Sequence, residues 1–128
     1  MITLKRTSDG GYNMSNREGV SVQGATSKTN TDGFTPFELL CNSISLCMAL
    51  SLDALIKRDE LDVTEYNIDV TPHKAEDSPS RIERFTVEVQ LAGELDEKTK
   101  KKLIASAKRA CTVGNTLKHG AEMDVEII

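Results

Sequence analysis

The fourteen residues from Leu39 to Leu52 contain no charged side chain, and this run constrains the fold more than any other feature of the chain. It follows Thr35-Pro36-Phe37-Glu38, which reads as a helix start. Thr35 can cap, Pro36 suits the first helical position, and Glu38 sets negative charge near the positive end of the dipole. Thr35 and Glu38 also stand at capping-box spacing. The pattern predicts a helix from Pro36 to about Lys57 or Arg58. Its middle is apolar on nearly every face, so most faces must be covered. One small sheet cannot do that alone; a sheet on one side and a second copy of the chain on the other would. The run falls short of the roughly 20 residues that span a bilayer, so no membrane association is expected.

Around this helix the chain alternates. Residues 2–24 carry short apolar/polar stretches broken at Asp9-Gly10-Gly11 and Asn16-Arg17-Glu18-Gly19, which predicts a meander of short strands. Residues 24–35 are small and polar and read as a loop. Tyr66, Ile68 and Val70 alternate with polar neighbours, as do Phe85, Val87, Val89 and Leu91; these are two half-buried strands. Asp96 is a candidate N-cap for a helix to about Ala110, with Leu103, Ile104 and Ala107 inside and a lysine-rich outer face read as solvated surface. A short helix from Thr112 to Lys118 ends at Gly120. Met123, Val125 and Ile127 predict a final strand. The expected class is α+β, one domain over residues 1–128, with antiparallel sheets packed around a long central helix.

Bulk properties remove several function classes. The net charge of −4 lacks the basic footprint that non-specific nucleic-acid binding needs. Aromatics are 4% of residues and Trp is absent, so base-stacking platforms are not expected. The first residues show no apolar stretch of a secretory signal, which points to a cytoplasmic protein. No Cys-x-x-Cys occurs, and His73 and His119 show no paired ligand spacing, so neither a metal nor a cofactor is expected.

Three cysteines remain. Cys41 and Cys47 lie six residues apart, roughly 120° around a helix axis, and cannot bond without breaking the helix. Cys47 sits mid-run, where a cysteine often serves as a small hydrophobe. Burial there raises a thiol's pKa, so a reactive Cys47 is expected to need a compensating cation. Cys111 stands beside the start of the short helix, with Lys108 and Arg109 nearby, a setting that favours thiolate; a buried cysteine between two helices is the plainer reading. A buried thiol and a thiol at a helix start supply the two halves of a redox pair, one to attack and one to resolve.

At this point the chain resembles a known family. Thr-Pro-Phe-Glu-Leu-Leu-Cys-Asn-Ser-Ile-Ser-Leu-Cys (35–47) is similar to the helix segment of the OsmC/Ohr family, the osmotically inducible protein C and organic hydroperoxide resistance proteins. Cys111-Thr-Val-Gly-Asn-Thr-Leu-Lys resembles its second signature, a Cys-Pro-Val followed by Thr-Leu. The resemblance implies an OsmC-like fold and an intertwined homodimer with the central helices at the interface. It implies reduction of organic hydroperoxides, with Cys47 peroxidatic, Cys111 resolving, and a dithiol reductant of lipoyl type in some members.

The departures from the pattern bear on activity. The hydroperoxidases place an acidic residue directly after the helix-start proline, where it orients an arginine beside the thiolate; here that position is Phe37. Glu38 follows one place later, turned by about 100°, and serves either the site or only the helix cap. Arg17 is the first candidate for the arginine and Arg6 the second, although arginines so placed are commonly solvent-exposed. Thr112 replaces the proline after the second cysteine, and either residue can start a helix. Two functions follow: a hydroperoxide reductase slower than members that keep the acidic residue, or a binding protein of the same fold that holds a small apolar molecule.

Overall fold

A capping box opens the longest element. In the computed structural model, which describes residues 1–26 and 32–128, the Thr35 N–H donates to Glu38 Oε1 at 2.8 Å and the Glu38 N–H donates to Thr35 Oγ1 at 3.3 Å. This reciprocal pair satisfies two otherwise orphaned donors and starts α1, Pro36–Arg58. The central part of the predicted 24–35 loop, residues 27–31, lies outside the described residues.

Contacts divide the chain into two units, residues 1–41 and 42–128. The first holds the expected meander: β1 (Thr3–Arg6), β2 (Tyr12–Ser15) and β3 (Ser21–Gly24), antiparallel in the order β1-β2-β3. Its second turn is built by Asn16, whose Oδ1 accepts the N–H groups of Glu18 and Val20, each at 3.0 Å. Gly19 there has φ +85°, a left-handed conformation that glycine adopts without a Cβ penalty.

The second unit carries β4 (Glu65–Lys74), β5 (Ile82–Ala92), α2 (Glu97–Ala110) and α3 (Thr112–His119) with the body of α1. β4 and β5 pair antiparallel from Glu65↔Ala92 to His73↔Arg84, with a register shift at His73/Lys74. Both strands are longer than the alternation alone predicts, because the hairpin continues the ladder past the last regular apolar position. The Asp96 carboxylate accepts the Thr99 N–H at 2.7 Å and caps α2 as expected. Gly93 closes the β5–α2 connection: a Cβ there would meet the Asp62 carbonyl oxygen at 2.0 Å, so no other residue fits without backbone movement.

The core of this unit joins one face of α1 to one face of α2. Met48, Leu52, Leu103 and Ala107 are its buried members, and Tyr66, Ile68, Val87, Val89 and Leu91 pack on them from the sheet. The Tyr66 hydroxyl donates to Asp53 Oδ1 at 2.6 Å and tethers β4 to α1. Burial first, and Asp53 second, push that phenol up to about 12. At 23 residues α1 is long and apolar enough to cross a bilayer by length and composition.

One predicted element does not form. Residues 121–128 have no regular structure, and Met123, Val125 and Ile127 are 88%, 91% and 102% exposed. Alternation gives a segment a strand's two faces, but a strand also needs a neighbour for its backbone N–H and C=O groups, and within the described residues this segment has none.

Leu52 is fully buried. Leu52→Ala is expected to lower stability by about 3 kcal/mol, the transfer loss plus the cavity it leaves. Urea unfolding checks this, and a loss below about 1 kcal/mol would place the core elsewhere.

Candidate functional site

An α-helix begins with N–H groups that have no partner within the helix. At the start of α3 two cysteine sulfurs stand near those groups. Cys111 is both the C-cap of α2, where its N–H bonds the Lys108 carbonyl at 3.4 Å, and the N-cap of α3. Its Sγ accepts the Gly114 N–H at 3.4 Å. The sulfur of Cys47, which comes from the middle of α1, stands where the Val113 and Thr112 N–H groups favour its ionisation. The two thiols are close enough to shift each other's ionisation. All three cysteines are free thiols.

The junction is fixed by local bonds. The Asn115 side-chain amide donates to the Arg109 carbonyl at 3.0 Å, and the Thr116 hydroxyl donates to the Thr112 carbonyl at 2.8 Å. The Asn115 backbone N–H donates to the Cys111 carbonyl at 3.0 Å, closing the first turn of α3.

This geometry separates the two thiols electrically. The Val113 N–H is the largest influence on Cys47; with the Cys111 thiol and the Thr112 N–H it outweighs partial burial and holds Cys47 below the ordinary thiol range. Cys111 is pushed up, chiefly by burial, with the Gly114 N–H opposing and the bond to Cys47 adding to the rise. Of the two, Cys47 is the more acidic thiol and Cys111 the less acidic. That reverses the expectation from chain position, which gave the helix-start advantage to Cys111 and burial's penalty to Cys47. The helix start does favour a thiolate, but the sulfur its first two N–H groups reach arrives from another element.

The other candidates lie elsewhere. Glu38 is engaged in the α1 capping box, and its carboxyl is held low by the Thr35 N–H and hydroxyl. Arg17 is exposed in the turn between β2 and β3, and Arg6 is exposed in β1; neither enters an ion pair among the described residues. Cys41 is half-buried on α1, pushed up by burial and then by Glu38. The backbone donors Thr112 and Val113 escaped sequence reasoning. Their only trace was the helix start after Cys111, which does not reveal that Cys47 approaches it. Among the described residues no group of three His, Cys, Asp or Glu side chains could hold a metal ion.

The comparisons fit this architecture. A family model described as OsmC-like protein matches residues 28–126. An OsmC-like protein from Mycoplasma pneumoniae superposes with a TM-score of 0.81 at 16% identity, covering 92% of this chain and 86% of that one. A protein from Legionella pneumophila named as an organic hydroperoxide resistance protein OsmC gives 0.67 at 13% identity, covering 92% and 89%. An organic hydroperoxide resistance protein from Elizabethkingia anophelis gives 0.65 at 20% identity, covering 92% and 88%. No curated protein sequence matches the chain. At these identities the structural likeness establishes the fold.

Thiol alkylation tests the electrostatics. A lowered pKa leaves more thiolate at neutral pH, so Cys47 is expected to react with iodoacetamide at lower pH than a free cysteine, and Cys111 at higher pH. Val113→Pro deletes the leading donor and should move the Cys47 profile upward in pH; Thr112→Pro should move it less. Peptide mapping of the alkylated protein reads both sites, and an unchanged Cys47 profile in Val113→Pro would remove the N–H account.

Proposed function

The chain belongs to the OsmC-like family, and on that premise we propose that it reduces organic hydroperoxides through its thiols, with Cys47 peroxidatic and Cys111 resolving. The observation that carries this reading is the juxtaposition of two thiols at the start of α3, Cys47 held low and Cys111 pushed up. The names of the Legionella and Elizabethkingia proteins, organic hydroperoxide resistance proteins of this fold, support the same chemistry.

The steps follow from that polarity. The Cys47 thiolate attacks the outer oxygen of the hydroperoxide, the O–O bond breaks, and the alkoxide leaves as alcohol after taking a proton. Cys47 becomes a sulfenic acid. The Cys111 sulfur then attacks the Cys47 sulfur, the S–O bond breaks, and water leaves as the disulfide forms. A dithiol returns both sulfurs to thiols by exchange. The N–H groups of Val113 and Thr112 do for Cys47 what a carboxylate-held arginine does where an acidic residue occupies the Phe37 position. Leu46, Met48 and Leu50 flank Cys47 along α1 and favour an apolar tail over hydrogen peroxide.

The same reading includes a homodimer. Leu46 and Leu50 share one face of α1 and are 62% and 61% exposed, and Met123, Val125 and Ile127 of the alternating last segment are exposed as well. Large apolar side chains grouped in this way mark a protein interface. A second copy of the chain would cover them and give the last segment a backbone partner.

Two measurements test these readings. Cumene hydroperoxide with a dithiol should be consumed by the wild type, with activity lost in Cys47→Ser and one turnover without cycling in Cys111→Ser. No consumption by the wild type would transfer the site to the binding of a small apolar molecule. Sedimentation should give a dimer at micromolar concentration. Leu46→Asp should dissociate or unfold it, because the dimer would bury an unpaired charge; a monomeric wild type would end the dimer reading.

A further inference from the structure

Cys111 faces a groove of about 780 Å³ that Cys47 does not line. Its walls come from α1, β5, α2 and α3, all in the second unit. Ile44, Met48, Phe85 and Leu117 make the interior apolar. The rim is basic: Arg84, Lys108, Arg109 and Lys118 line it, against the single carboxylate of Glu83. None of these four cations enters an ion pair among the described residues, and Arg109 spends one guanidinium N–H on the Ser106 hydroxyl at 3.2 Å. In a chain of net charge −4, four cations around one cavity with a single acid to answer them is a local reversal of sign.

We propose that this groove admits the reductant, a dithiol bearing an anionic group on an apolar arm, and that its thiolate attacks the sulfur of Cys111 rather than that of Cys47. The proposal rests on the reading of Cys47 and Cys111 as a redox pair. The cations hold the anionic group, and the apolar walls take the arm. Cys111 is 2% exposed in the thiol form, and its small remaining access opens on this side.

The exchange balances. The carrier thiolate bonds to Cys111 Sγ, the Cys47–Cys111 bond breaks, and Cys47 leaves as thiolate. The carrier's second thiol, deprotonated, then attacks its own sulfur in the mixed disulfide. A cyclic carrier disulfide forms, and Cys111 leaves and takes up a proton. The carrier is oxidised by two electrons and the protein reduced by two. Exchange is fastest when the departing sulfur is the better leaving thiolate. Cys47, stabilised by the Val113 and Thr112 N–H groups, is that sulfur, so attack at Cys111 uses the same asymmetry that peroxide reduction uses.

The test starts from protein oxidised with diamide. Dihydrolipoate and dihydrolipoamide carry the same dithiol and differ in one negative charge. At low ionic strength dihydrolipoate is expected to reduce the disulfide roughly tenfold faster, within the range that electrostatic steering gives. The ratio should fall toward one as salt screens the rim. In Arg84→Gln/Lys108→Gln/Lys118→Gln the ratio should already be near one at low salt; both reductants act on the same variant, so a general loss of fold cannot imitate that result. Acid-quenched reaction with 3-mercaptopropionate, followed by alkylation and peptide mapping, should place the mixed disulfide on Cys111 and the alkyl group on Cys47. An adduct on Cys47, or a ratio near one in the wild type at every ionic strength, overturns the proposal. Diamide forms the disulfide without peroxide, so these failures are distinct from a failure to consume cumene hydroperoxide.

Discussion

The free N–H groups at the start of α3 are the constraint on which the chemistry of this chain depends. A helix start offers four donors that no carbonyl of the same helix can satisfy. Here the N–H groups of Thr112 and Val113 favour ionisation of Cys47, while Cys111 accepts the Gly114 N–H and feels that of Val113 as well. Two sulfurs at one helix end compete for one supply of positive potential, and the competition has a winner because the sulfurs differ in burial. Cys111 is enclosed at the α2–α3 junction, where desolvation dominates. Cys47 is less enclosed, and the influence of the Val113 and Thr112 N–H groups outweighs its burial. The proximity of the thiols then reinforces the difference, since Cys111 lowers Cys47 and Cys47 raises Cys111.

The position of Cys47 on α1 explains how it can be both anchored and accessible. With about 100° per residue, Ile44, Met48 and Leu52 fall within one arc of roughly 80°. Leu46 and Leu50 lie on the far side, roughly 200° and 240° from Ile44. Cys47 falls about 60° outside the buried arc, on the side nearer those leucines. The observed burial follows this map: the first three are buried, the two leucines exposed, and Cys47 intermediate. One residue later in the helix the thiol would be sealed in the core, and one residue earlier it would face away from α3.

Much of this was legible in the sequence because the relevant signals are local. The capping box at Thr35 and Glu38, the Asp96 cap, the Gly120 end of α3 and the alternation in β4 and β5 each depend on residues a few positions apart, and each forms as read. What escaped depends on tertiary meetings. Cys47 and Val113 are far apart in the chain, and a backbone N–H has no side-chain signature to announce it. Lys108 and Arg109 belong to a lysine-rich helix face of the kind that usually meets only water, yet the last turn of α2 faces β5 across the groove. The 123–127 alternation is as regular as that of β4, and only the lack of a neighbouring strand among the described residues separates the two outcomes.

The role of Phe37 also changes once the site is built from backbone donors. A guanidinium beside a thiolate is held by long side chains and must be oriented by a third group. That is why an acidic residue matters where an arginine does the work. Peptide N–H groups at a helix start are oriented by the helix itself and need no further support. Glu38 is then free to serve as one half of the α1 cap, where its carboxylate accepts the Thr35 N–H and its own N–H donates to the Thr35 hydroxyl. Phe37 and the capping role of Glu38 are compatible with a Cys47 thiol held low, because the N–H groups that lower it belong to α3, whose geometry is set by the α2–α3 junction and the Asn115 bond across it.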